Sequence, residues 1–129
     1  MKQENIKKIL IVEDEEPLAR ALSSGLSNNE FEVLTAANGE EGLKVAFEKK
    51  PSLILLDLFM PKMDGITMLK KLREDEWGKK VKVVILTNME DRDKLAAAVE
   101  NRVYDYLIKS NWNISDVLKK IRIELKYAD

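Results

Sequence analysis

The sequence predicts one doubly wound α/β domain: a parallel sheet with helices packed on both faces. Three observations lead there. Short apolar runs alternate five times with amphipathic stretches along the 129 residues, the pattern of a parallel sheet with crossover helices. The third run, Leu53-Ile54-Leu55-Leu56, is apolar at every position, as a central strand buried on both faces must be. Turn-forming residues punctuate the alternation, with no linker, internal repeat or low-complexity tract between the segments.

Taken in order, the first strand is expected at Lys8–Val12. The first helix follows at Pro17–Ser27, where Leu18, Leu22 and Leu26 recur every fourth residue and mark one buried face. Pro17 suits a first helical turn, and Asn28-Asn29 are expected to stop the helix. The second strand spans Phe31–Ala36; Asn38-Gly39 turns into a helix at Gly39–Lys49, and Lys50-Pro51 turns into the third strand, Leu53–Asp57. A helix at Gly65–Asp75 leads to the fourth strand, Lys82–Leu86. A further helix, Asp91–Asn101, leads to the fifth strand, Tyr104–Ile108, with Asn101 expected to supply a left-handed cap. The last helix, Ile114–Tyr127, buries Val117, Leu118, Ile121 and Leu125. Asn113 and Asp116 form a capping box before it, with Trp112 placed to staple onto Val117. Right-handed crossovers with the third strand central give the order 2-1-3-4-5 and put any site at the carboxyl ends of the strands.

Composition narrows the chemistry. A net charge of −1 gives no global reason to bind nucleic acid or an anionic membrane. The C-terminal lysines Lys119, Lys120 and Lys126, with Arg122, interleave with acids and read as a solvated helix face. The chain contains no cysteine and no histidine, which excludes disulfides, thiolate or imidazole metal sites, His-based triads and a phosphohistidine carrier. No apolar run approaches the roughly 20 residues of a membrane span. The first residues lack the apolar core of a signal peptide, so a cytosolic location is expected.

The residues that end the apolar runs are the most informative. Val12 is followed by Glu13-Asp14-Glu15-Glu16, the third run closes on Asp57, the fourth on Thr87 and the fifth on Lys109. Each has an ordinary explanation alone, as a surface acid, turn residue, N-cap or solvated strand end. On the expected topology they converge. Glu13, Asp14 and Asp57 share a pocket, where like charges repel and call for a cation. With oxygen donors only, Mg²⁺ is the natural choice, and it would leave positions open for phosphoryl oxygens. Lys109 adds a compact positive charge and Thr87 a hydroxyl. Asp57 is then placed to act as a nucleophile on phosphorus.

These landmarks resemble the receiver domains of two-component response regulators, with their flavodoxin-like, CheY-like fold. The resemblance covers essentially the whole chain and rests on Val12-Glu13-Asp14, Asp57-Leu58-Phe59-Met60-Pro61 with Met63-Asp64-Gly65, Leu86-Thr87, and Tyr106-Leu107-Ile108-Lys109. It implies Asp57 as phospho-acceptor. It also implies Mg²⁺ bound by Asp14, Asp57 and the Phe59 carbonyl, with Glu13 acting through a water. Lys109 pairs with the phosphoryl group, and Thr87 and Tyr106 form the switch pair. The implied donor is a histidine kinase, a phosphotransfer protein or a small acyl phosphate, and the implied target is a downstream protein, not nucleic acid or membrane directly. The surface of the fourth helix, fifth strand and fifth helix is where relatives bind partners or dimerise. There Asp105 and Lys119 are placed to pair across a phosphorylation-dependent homodimer.

The chain departs from the family pattern at Ser110, where a proline after a cis bond is usual. A cis bond before a non-proline residue costs about 2.5–4 kcal/mol, so either a trans bond with a reshaped loop or a strained cis bond is expected. Asn88 stands where a small residue is usual, and with the bulky Phe59 and Met89 it leads us to expect slow self-dephosphorylation. Residues 1–129 are expected to form a stand-alone receiver without an output domain, acting as a signalling switch and not as an enzyme; a piece of a longer protein fits equally. The alternative function is a degenerate receiver acting as a phosphorylation-independent interaction module. A haloacid-dehalogenase-type phosphatase fits poorly, because its second aspartate is replaced by Phe59. A flavin carrier fits worse, since Glu13-Asp14-Glu15-Glu16 would repel the flavin phosphate.

Overall fold

A computed structural model describes residues 6–27, 31–58, 60, 62–87, 92–103, 105–108 and 113–126; at 87, 92, 94, 95, 105–108 and 126 it describes the backbone only. Five strands alternate with five helices: β1 (Lys7–Val12), α1 (Glu16–Leu26), β2 (Phe31–Ala36), α2 (Gly39–Lys49), β3 (Leu53–Asp57), α3 (Gly65–Arg73), β4 (Lys82–Thr87), α4 (Arg92–Glu100), β5 (Asp105–Ile108) and α5 (Ile114–Lys126). The sheet order is β2-β1-β3-β4-β5, with every neighbouring pair parallel. This is the expected doubly wound topology.

The period-two geometry of strands explains why the sheet sits between two apolar layers. Ile9 and Ile11 of β1, Leu53 and Leu55 of β3, and Val84 and Leu86 of β4 pack with Leu22 and Leu26 of α1 and Val117 and Ile121 of α5. The intervening residues Leu10, Val12, Ile54, Leu56, Val83 and Ile85 pack with Ala46 of α2, Met68, Leu69 and Leu72 of α3 and Ala98 of α4. All five residues of β3 are buried, which is why its sequence shows no polar alternation. Burying a Leu or Ile side chain contributes roughly 1.5–3 kcal/mol, so the central strand anchors the fold.

Local signals fix the helix ends. The Asn38 side chain accepts the Glu41 N–H at 2.9 Å, while Glu41 Oε1 accepts the Ala37 N–H at 2.8 Å. Asp64 Oδ1 caps α3 by accepting the Thr67 N–H at 2.8 Å. At α5 the expected box is present: Asn113 Oδ1 accepts the Asp116 N–H at 2.9 Å, and Asp116 Oδ2 accepts the Asn113 N–H at 3.3 Å. The Trp112 staple lies outside the described residues, as does the Asn28-Asn29 stop; α1 ends at Leu26, and the Ser27 N–H donates to Ser23 O at 3.0 Å.

Two details depart from expectation. Helix α3 ends at Arg73 and not Asp75. The Asp75 carboxylate accepts the N–H groups of Trp77 and Gly78, each at 2.9 Å, and this local alternative competes with helix continuation. After α4 the left-handed residue is Arg102, with φ 60°, and not Asn101. The Asn101 amide nitrogen donates to Ala97 O at 2.9 Å and its N–H to Ala98 O at 2.8 Å, so Asn101 stays with the helix and the chain reverses one residue later. Among the described residues no helix is long and apolar enough to cross a membrane.

Candidate functional site

Parallel strands bring their carboxyl ends to one edge, and the central strands β1 and β3 are adjacent there. Glu13 extends β1 by one bond, its N–H donating to Ala36 O of β2 at 3.0 Å. That bond fixes its backbone, and its side chain is only 2% exposed. Glu13 Oε2 accepts the Glu15 N–H at 3.1 Å, which orients the carboxylate. Asp14 lies beside it and is exposed. Asp57 closes β3 opposite Leu86 of β4 and is 2% exposed.

These three residues meet as expected. One carboxylate oxygen from each of Glu13, Asp14 and Asp57 lies within 4.8 Å of the others. Two of the three are buried, and burying carboxylates together is unfavourable without a compensating positive charge. The donor set is entirely oxygen, and its exposed member, Asp14, opens the cluster to solvent. Hard oxygen donors with room for waters match Mg²⁺, which binds one or two carboxylates and keeps several waters. The residues present therefore fit the ion that the sequence called for.

The second half of the site is partly described. Thr87 ends β4, and its backbone pairs with Ile108, the last residue of β5. It therefore follows Leu86, the partner of Asp57, at the same sheet edge. Tyr106 is backbone-paired with Ile85, two residues before Thr87. The side chains of Thr87, Tyr106 and Asp105 lie outside the described set, as do Phe59, Asn88, Met89, Lys109 and the Lys109–Ser110 bond. Lys119 is exposed on α5.

Three contributors went unassigned in the sequence reading. Gly65 opens α3 with its N–H donating to Leu58 O at 3.0 Å. A Cβ there would collide with the Asp57 carbonyl oxygen and lie 2.8 Å from Leu58 Cα, so only glycine lets α3 press against the end of β3. Asp64 caps that helix. Gly39 plays a matching part at α2, donating its N–H to Met63 O at 3.1 Å, where a Cβ would meet the Met63 side chain at 2.9 Å. The Asp-Gly pair was visible in sequence, but the contact that requires it is tertiary.

Known proteins share this fold. The family model described as "Response regulator receiver domain" matches residues 9–122. The alkaline phosphatase synthesis transcriptional regulatory protein PhoP of Bacillus subtilis is 38% identical over 103 residues, covering 80% of this chain and 42% of its own length. Response regulator PleD of Caulobacter vibrioides is 35% identical over 116 residues, covering 90% of this chain and 25% of its own. The chain thus spans less than half the length of these two relatives. Among solved structures, a CheY-like receiver domain protein from Methanospirillum hungatei JF-1 superposes with a TM-score of 0.86 at 27% identity, covering 95% of each chain. Chemotaxis response regulator CheY4 of Vibrio cholerae gives 0.83 at 27% identity, covering 91% of this chain and 97% of its own. The match from Ile9 of β1 to Arg122 of α5 takes in every element that builds the acidic edge, and the chain belongs to the response regulator receiver domain family.

Proposed function

We propose that this domain is a Mg²⁺-dependent phosphorylation switch in which Asp57 accepts a phosphoryl group. Receiver domains are Mg²⁺-dependent in general and work with histidine kinases and downstream effectors. The observation that carries the reading for this chain is the convergence of Glu13, Asp14 and Asp57.

An Asp57 carboxylate oxygen attacks phosphorus as the P–N bond of a phosphohistidine, or the P–O bond of an acyl phosphate, breaks. An acyl phosphate forms on Asp57, and a leaving imidazole takes its proton from solvent. Bound Mg²⁺ supplies positive charge against the incoming phosphoryl oxygens. Asp14, Asp57 and the Phe59 carbonyl are assigned to hold it, with Glu13 acting through a water. Lys109, one residue past β5, is assigned the second countercharge, and Thr87 donates its hydroxyl to a phosphoryl oxygen. Phosphoryl transfer depends mainly on this kind of positioning and neutralisation. The domain is thus a signalling acceptor that assists its own phosphorylation and dephosphorylation.

Thr87 ends β4 and Tyr106 lies in β5, so phosphorylation is read by the α4–β5–α5 face. The partner is a protein. In a phosphorylation-dependent homodimer, Asp105 and Lys119 pair across that face, contributing only about 0.2–1 kcal/mol as an exposed ion pair. The test is intact mass after incubation with acetyl phosphate, with and without Mg²⁺. One added phosphoryl group that requires both Mg²⁺ and Asp57 is expected. No adduct from acetyl phosphate or a panel of histidine kinases would contradict the switch and favour a phosphorylation-independent interaction module.

A further inference from the structure

The edge of the sheet opposite the acidic site carries the reverse charge. Lys82 opens β4 opposite Leu53, the first residue of β3, and Lys7 opens β1 two residues before Ile9, the β1 partner of Leu53. Lys50 ends α2 in the left-handed conformation, with φ 47°. Together with Lys80 and Trp77 these lysines line an open groove of about 740 Å³, where Glu76 is the one acid among the described lining residues. Glu76 is itself paired outward to Lys79 at 3.3 Å. Among the described lining residues, Lys7, Lys50 and Lys80 stand against Glu76, a local excess of positive charge in a chain whose net charge is −1.

The wall of the groove is built in advance. Asp75 Oδ2 holds the N–H groups of Trp77 and Gly78, and the Lys80 N–H donates to Trp77 O at 3.1 Å. The Arg73 guanidinium then secures the turn from behind through Gly78 O and Val81 O. The half-buried indole of Trp77 is supported by the Phe47 ring, edge-on at 6.4 Å. The Lys50 ammonium sits 5.7 Å from the indole centroid. Its position shows that a cation in the groove reaches the electron-rich face of the ring.

We propose that this groove binds a nucleoside polyphosphate, with the phosphates on the lysines and the base on the indole of Trp77. Lysine ammonium groups are point-charge donors suited to phosphate. The volume falls within the roughly 300–1,000 Å³ of small-ligand sites. A phosphate entering the groove draws Lys50 off the ring and leaves that face to a base. The groove is separate from the acidic site: β3 runs from Leu53 at one edge to Asp57 at the other, about 13 Å at 3.3 Å per residue.

The test is calorimetric titration of the full chain with ATP, with inorganic tripolyphosphate and with adenosine. EDTA is present throughout, so the acidic site carries no Mg²⁺. Saturable ATP binding is expected, weaker tripolyphosphate binding, and adenosine weaker than either. The double variant Lys50→Gln/Lys80→Gln should lose about tenfold or more in ATP affinity, in line with removal of charge-assisted hydrogen bonds. Glu76→Gln, which removes a negative charge from the groove lining, should tighten ATP binding, and Asp57→Ala should leave it unchanged. Absence of saturable ATP binding, or lysine variants that bind as well as the parent, would overturn the proposal. Tripolyphosphate binding as tight as ATP would overturn the nucleotide assignment, since the indole would then contribute nothing.

Discussion

Replacing Arg73 with methionine tests whether a buried cation joins two distant turns. Arg73 is 7% exposed. Its Nη1 donates to Gly78 O at 2.6 Å and Val81 O at 2.8 Å, its Nε to Asn101 O at 2.9 Å, and its Nη2 to Arg102 O at 2.6 Å. Methionine keeps much of the aliphatic packing but none of the donors. The bonds to Gly78 and Val81 are buried, so those carbonyls lose their partner away from water, at about 1–3 kcal/mol each. The bonds to Asn101 and Arg102 are only partly buried, and those carbonyls recover much of the loss through water. The sum is about 3 kcal/mol, near the lower end of what breaking a buried charged network costs. Against a typical stability of about 5–15 kcal/mol this is a large fraction. Urea unfolding followed by far-UV circular dichroism reads it as a lowered midpoint at unchanged slope. Arg73→Lys, which can restore one or two of the bonds, should fall between. A methionine variant within about 0.5 kcal/mol of the parent, the range of ordinary surface substitutions, would refute the reasoning. The four carbonyls would then be satisfied without the guanidinium.

Further predictions concern the acidic edge. Gly65→Ala drives a Cβ into the backbone of Asp57 and Leu58; it should destabilise the domain by about 1–3 kcal/mol, as overpacking does, and slow acetyl phosphate labelling by about tenfold or more through displacement of Asp57. Unchanged labelling would place α3 outside the site's support. Asp64→Ala and Asn38→Ala each remove an N-cap and should cost about 1 kcal/mol in urea unfolding. The bulk of Phe59, Asn88 and Met89 predicts slow loss of the phosphoryl group in Mg²⁺, followed by intact mass over time; rapid Mg²⁺-dependent decay would contradict it.

The fold was legible because its determinants are local and periodic. An unbroken apolar run at Leu53–Leu56 announces a strand covered on both faces, and breakers at Asn38-Gly39 and Lys50-Pro51 separate the units. The acidic cluster was legible for a related reason: parallel topology turns "the residue after a strand" into "a residue at one edge". Features that depend on distant backbone were not readable. Asn is the ordinary left-handed residue after a helix, yet Asn101 is held in the helical turn by its own amide. The reversal falls on Arg102, whose carbonyl accepts from Arg73, 29 residues away in sequence. Arg73 itself follows Lys70 and Lys71 in the last turn of α3 and reads as one more solvated cation. Only the turns at Gly78–Val81 and Asn101–Arg102, folded around it, show why it is buried.

The residue that receives the phosphoryl group distinguishes a working Asp57 switch most directly. The chain would be incubated with acetyl phosphate and Mg²⁺, reduced with borohydride to convert an acyl phosphate to homoserine, digested and mapped by peptide mass spectrometry. Homoserine at position 57 alone, lost without Mg²⁺ and absent from Asp57→Ala, is the predicted result. Conversion at another carboxylate, or phosphate retained on a hydroxyl such as Thr87, would contradict it.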